Sequence, residues 1–442
     1  MRKRMATVGL AVTGVAAVLA WLGRFGLMGS SSALDGHNAA DMAWVSVAAA
    51  LVMLMTPALG FFYGGLVRHK NLVSTIVQCL AIFAVATGVW TLWGYSLAFA
   101  PSRSGLIGGL RYVLLRGVGV SPDPDYAPTI PALSFYFFQM KFAAITPALI
   151  IGAFAERVRF RSLLVFIVVW ATVVYAPVAH WVWGVGGWLR SLGALDFAGG
   201  TVVHVLAGAS ALAAALVIGR RRENGGESRP CNVPFVILGA ALLWFGWFGF
   251  NAGSALAMNG VAVSALVTTN IAAAFATLSW MAVDWFVSGK PSATGAAIGA
   301  VCGLVAITPA AGFVDVSAAI VIGLMAGLVC NCFVRVLNRT KLDDTLDVFA
   351  CHGVGGMLGA LATGIFAQKA LNPAGADGLL YGNPRQLLVQ AIAVLVTGLW
   401  AFVATAGVLK VVDLVMGLRV TPEEEELGLD VTQHGEYAYS FD

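Results

Sequence analysis

The sequence predicts an all-α polytopic membrane protein, with about eleven transmembrane helices in two inverted five-helix repeats plus a last long helix. Three observations carry that fold class. Hydrophobic residues make up 59% of the 442 positions and charged residues 11%, with a mean hydropathy of +0.85; this leaves too little polar surface for a soluble globule of this size. Apolar segments close to the length of a spanning helix recur along the chain. Basic residues gather in every second connection between them.

The chain opens with MRKR and an apolar stretch, then Ser31-Ser32-Ala33, the layout of a cleavable secretory signal. Arg24 and a second short apolar stretch intervene, which suits a retained helix, so residues 1–36 read as a signal peptide or an extra N-terminal helix. Under either reading, Asp35 to Asp41 begins the mature domain outside the cytoplasm. The spans that follow are 41–65, 72–100, 129–155, 162–188, 198–219, 232–256, 262–288, 293–310, 313–334, 346–367 and 386–416. Arg68 and Lys70 fill the first connection. Arg157, Arg159 and Arg161 fill the third, Arg220 to Arg222 and Arg229 the fifth, Lys290 the seventh, and Arg335, Arg339 and Lys341 the ninth. The alternate loops are poorer in cations, except 101–128, which carries Arg103, Arg111 and Arg116. By the positive-inside rule the mature N-terminus is outside and the C-terminal tail cytoplasmic. The 52 glycines include helically spaced pairs such as Gly299 with Gly303 and Gly355 with Gly359, which suit close helix contact.

His204 in TVVHVLAG (201–208) and His352 in FACHGVGG (349–356) lie inside long apolar segments. Buried imidazoles at membrane depth mark a path for a proton or small polar solute. They fall in the fifth and tenth spans, equivalent places in two halves of five, and an odd number of helices per half inverts one half relative to the other. Gly208 and Gly356 follow the histidines by four residues, leaving room for close helix approach. The pair therefore reads as the lining of a narrow pore. Each histidine alone could instead bond a neighbouring helix. Five of the six cysteines lie in apolar segments and Cys231 in a loop, without C-x-x-C or metal spacing. Neither a c-type haem motif nor a nucleophile–base–orienter cluster is present, so no cofactor and no enzyme activity are expected. The net charge of +4 is small and concentrated in a few loops and gives no sign of nucleic-acid binding.

Several long strings are specific. GFFYGGLVRHKN (60–71), ALIIGAFAERVRF (148–160), LDFAGGTVVHVLAG (195–208), LLWFGWFGFNAGSAL (242–256), DVFACHGVGG (347–356) and GLRVTPEEEELGLDVTQHGEYAY (417–439) resemble the ammonium transporter family (Amt/Mep/Rh), on its bacterial Amt branch. The resemblance runs from about residue 41 to the C-terminus. It implies a homotrimer with one pore per subunit in the bacterial inner (plasma) membrane, in which His204 and His352 are the twin pore histidines. Phe138, Trp183 and Ser254 would recruit NH4+, and Phe142 and Phe250 would form a phenylalanine gate. Asp196 would be a supporting acid at the start of the fifth helix, either capping it or assisting deprotonation. Asp347 carries the same two readings near the other histidine, and Asp284 reads as interfacial. Lys141 departs from the bacterial pattern and, about 100° around the helix from Phe142, is expected to point away from the pore. The implied domains are a membrane domain at 37–416 and a cytoplasmic regulatory tail at 417–442, which a PII-type regulatory protein could engage. The implied activity is ammonium transport as NH3 with separate H+ transfer; a sensor of the same fold with little transport is the alternative.

Overall fold

A computed structural model describes residues 37–439 apart from 103 and 223–228. The signal peptide or extra helix read at 1–36 lies outside the described residues. Among the described residues eleven apolar helices form the body: α1 (Ala39–Leu66), α2 (His69–Phe99), α3 (Ala132–Phe154), α4 (Phe160–Leu192), α5 (Gly200–Ile218), α6 (Val233–Ala255), α7 (Gly260–Ser288), α8 (Ala293–Ile307), α9 (Val316–Leu337), α10 (Phe349–Phe366) and α11 (Pro384–Met416). Ten of these are long and apolar enough to cross a bilayer, and α8 is shorter at 15 residues. Starts follow local capping chemistry. The side chains of Asn38, Asn232, Asn259, Ser292 and Asp315 accept first-turn NH groups of α1, α6, α7, α8 and α9.

Packing depends on small residues. A Cβ on Gly303 of α8 would collide with the α7 backbone at Ala272 and Ala273, and one on Gly359 of α10 would collide with Ala306 of α8. These two sites illustrate the close approach that the glycine spacing predicts. α5 and α10, the central pair, each begin with a wide π-helical turn, Gly200–Val205 and Phe349–Val354, and each turn carries its histidine. Such turns are rare and concentrate at functional sites. The correspondence of α1–α5 with α6–α10 therefore extends to local backbone form.

The basic loops meet at one end. Glu156 pairs with Arg68 at 2.6 Å and Arg221 at 3.4 Å; Arg221 also pairs with Asp343 at 3.0 Å. These pairs tie the first, third, fifth and ninth connections together. Asp284, near the end of α7, accepts from Arg335 at 2.8 Å and Asn331 at 2.9 Å, so it sits in a buried polar cluster. The tail docks on this basic end. Its short helix α12 (Pro422–Leu427) has a capping box between Thr421 and Glu424, and an isolated antiparallel bridge joins Val158 to Arg419. At the opposite end the long second connection folds into a two-stranded ribbon, β1 (Pro122–Asp123) and β2 (Ala127–Pro131).

Candidate functional site

At the end opposite the tail a vestibule of about 190 Å³ opens between α3, α4 and α6. Trp183, Ser254, Phe142, Gln139 and Asp196 line it. Trp183 presents its indole edge-on to Phe142, with ring centroids 5.9 Å apart at 90°, and its Nε1 donates to the Asp196 carbonyl at 3.0 Å. Ser254 Oγ donates to the Phe250 carbonyl at 2.8 Å, which leaves its oxygen lone pairs for a ligand. Phe138 is placed differently from the sequence expectation. It is fully buried, packs against Phe142 with centroids 5.0 Å apart, and does not line the vestibule; the next residue, Gln139, does. On a helix, successive side chains diverge by about 100°, and only one of the two can face the cavity.

Phe142 and Phe250 close the floor. Their rings lie 4.3 Å apart, tilted by 35°. Phe250 leads on to His204 at 6.1 Å, and His204 to His352 at 5.3 Å with 22° between the rings. The two Nδ1 atoms are 3.2 Å apart, within hydrogen-bond reach. One must therefore donate and the other accept, so the pair shares a proton and the two outer nitrogens have opposite roles. Trp247 stacks on His204 at 5.4 Å and 20°, while its own Nε1 is held by Thr308 at 2.8 Å. The lumen beside the histidines is lined otherwise by apolar side chains such as Leu59, Ile145, Leu243 and Val301, with a volume of about 10 Å³. That is about the space one water needs. His204 Nε2 has no partner among the described residues.

The close approach of the rings follows from the glycines. A Cβ on Gly208 would strike the backbone of Gly353, and one on Gly356 would lie 2.9 Å from the His204 Cβ. α5 and α10 thus cross where each lacks a side chain.

Asp196 is buried, and its two oxygens accept four backbone NH groups, from Gly199, Gly200, Thr201 and Val202, at 2.6–3.0 Å. This is a helix cap whose capacity is filled. Burial pushes its carboxyl up to about 6, with the four NH bonds pulling the other way. Asp347 does not take the equivalent place. Asp344 does: it lies eight residues before His352, as Asp196 lies eight before His204, and its Oδ2 accepts from Phe349 NH at 2.7 Å. Burial pushes Asp344 up to about 6 as well. Asp347 holds a left-handed backbone, φ 56°, beside it, and burial together with Asp344 raises its carboxyl. The matching eight-residue spacing was the signal in the sequence that identifies Asp344. Lys141 lines neither cavity; its Nζ lies 3.6 Å from the Phe137 ring centroid and 5.4 Å from that of Phe83 in α2.

Comparison with known proteins identifies the arrangement. A family model described as Ammonium Transporter Family matches residues 43–439. The chain belongs to the ammonium transporter family. An ammonium transporter of Bacillus subtilis (strain 168) is 51% identical over 400 residues, covering 90% of this chain and 98% of the relative. Among solved structures, Mep2 of Candida albicans superposes with a TM-score of 0.84 at 40% identity, covering 91% of each chain. A sensor Amt protein superposes with a TM-score of 0.81 at 33% identity, covering 89% of this chain and 98% of the other. The protein is thus a multi-pass ammonium transporter, in a family of transporters and not of enzymes.

Proposed function

We propose that this transporter recruits NH4+ in the vestibule, removes one proton there, and conducts NH3 through the dry lumen along His204 and His352 while the proton is transferred separately. The observation that carries this reading is the imidazole pair, Nδ1 to Nδ1 at 3.2 Å, directly behind the Phe142–Phe250 stack. An ion passing that stack loses hydration at a cost of several kcal/mol, whereas neutral ammonia loses far less. In the vestibule the faces of the Trp183 and Phe142 rings attract a cation by about 1–2 kcal/mol once it is partly desolvated, without a buried counter-charge. Beyond the stack, the histidine pair offers one N–H and one lone pair, the two contacts that ammonia can reciprocate.

Ammonium-triggered currents in proteoliposomes test the reading. His204→Ala and His352→Ala are each expected to abolish or reshape conduction while the protein stays folded; unchanged current and selectivity in both refute the pore assignment. The same measurement separates the second reading, a sensor, favoured by the likeness to the sensor Amt protein: binding without flux supports it. The gathering of Arg68, Arg157, Arg221 and Arg335 at the tail end favours a cytoplasmic C-terminus, an outward vestibule and residence in the bacterial inner membrane. Exposed Leu278, Leu324 and Leu395 on α7, α9 and α11 would face lipid or neighbouring subunits of a homotrimer. The tail end would also receive a PII-type regulator; pulldown at low and high nitrogen checks this, and no association in either condition counts against it.

A further inference from the structure

In the vestibule most polar atoms are already engaged. Trp183 Nε1 donates to the Asp196 carbonyl, Ser254 Oγ to the Phe250 carbonyl, and the Asp196 carboxylate is filled by four backbone NH groups. Gln139 differs. Its side chain lines the cavity beside Phe142, Trp183 and Ser254, and its Oε1 is shut off from solvent with no hydrogen-bond partner among the described residues. A buried carbonyl without a donor carries an uncompensated desolvation penalty, whereas the Nε2 end of the same amide is not shut off, so a half turn of the carboxamide sets the oxygen toward the cavity, where a donor can meet it. A carboxamide can present either end, and a cation selects the oxygen.

We propose that Gln139 Oε1 accepts an N–H of the ammonium ion in the vestibule, making Gln139 a specificity-determining residue of the recruitment site; this rests on the transport reading above. The aromatic rings attract positive charge over their faces but offer no lone pair. Gln139 and the Ser254 hydroxyl supply acceptors, so the ion is held by direction as well as by charge. Because the amide is neutral it leaves the cation unpaired. A carboxylate at this position would hold the ion more tightly and oppose the loss of its charge on deprotonation.

The test separates recruitment from conduction in proteoliposomes holding the full chain. Gln139→Leu is expected to raise the half-saturating ammonium concentration about tenfold, the loss of one hydrogen bond from a charged donor, with the maximal current kept within about twofold. Gln139→Glu, which keeps an acceptor, is expected not to raise the half-saturating concentration above that of the wild type. Equal half-saturation in wild type and Gln139→Leu overturns the proposal, as does a fall in maximal current with half-saturation unchanged, which marks a structural role. If the leucine variant does not assemble, Gln139→Met, of similar length and without an acceptor, carries the same expectation. Calorimetric titration of the purified protein with ammonium chloride keeps the two readings apart. Absence of current in wild type, with binding weakened by Gln139→Leu, removes transport and keeps the acceptor; equal binding in the two proteins removes the acceptor.

Discussion

At the scale of single residues, the geometry of the lumen depends on atoms that are missing as much as on those present. Gly208 and Gly353 let α5 and α10 touch by backbone, and the histidine rings meet as a result. Gly208→Ala is expected to push the helices apart, cost about 1–3 kcal/mol of stability and abolish ammonium current, checked by thermal unfolding in detergent beside flux. A fully active, equally stable variant would show that the crossing tolerates a methyl. His204 and His352 were legible in the sequence because an imidazole is costly to bury in an apolar run and stands there to handle a proton or a polar solute. Gln139 and Trp247 were not, since an amide after a phenylalanine and a tryptophan among many carry no period or spacing of their own. Phe138 was misplaced for a related reason: strings identify which residues recur, but only helix phase decides which of two neighbours faces a cavity.

At the scale of elements, both central helices begin with a buried acid, eight residues before the histidine, and a wide π-turn. Asp196→Ala removes the acceptor for four NH groups and is expected to cost about 1–2 kcal/mol, read as a lower Tm, while Asp196→Asn keeps part of the cap. The Asp196 carboxyl is raised from its ordinary value near 3.8 to about 6, so it binds its proton more tightly folded than unfolded. Its contribution to stability is therefore fully present below about pH 4, falls as pH rises through about 6, and is constant above. Comparing unfolding of the wild type and Asp196→Asn across that window should show a shallower slope in the variant, with the share of Asp344 and Asp347 remaining. The spans were readable because each membrane helix is a long apolar run; their count was readable only approximately, since ten are long enough to cross and α8 is shorter. The π-turns were not, because one extra residue per turn leaves hydrophobicity unchanged; Asp344, which caps the first amide of α10, shows in the sequence only when its eight-residue spacing to His352 is set beside that of Asp196 to His204.

At the scale of the whole molecule, the acidic run of the tail is part of the fold. Glu425 is buried, pairs with Arg419 at 2.8 Å and accepts the Arg222 NH at 2.8 Å. Glu425→Ala is expected to loosen 419–435 by about 1–2 kcal/mol, since Arg419 is partly solvated, seen as faster hydrogen exchange there and earlier trypsin cleavage at Arg419; unchanged protection would mean the docking rests on other contacts. One such contact is Asp430, whose oxygens accept from Ser74 NH at 2.7 Å and Val73 NH at 3.1 Å, while His434 meets Ser74 Oγ at 3.2 Å. The first turn of α2 is therefore finished by a side chain more than 350 positions downstream. During synthesis the leading amides of the second helix would lack this acceptor until Asp430 itself had been made. Premature termination before Asp430 would leave every spanning segment in place yet the leading turn of the second helix incomplete, giving quality-control proteases a recognisable mark of an unfinished product.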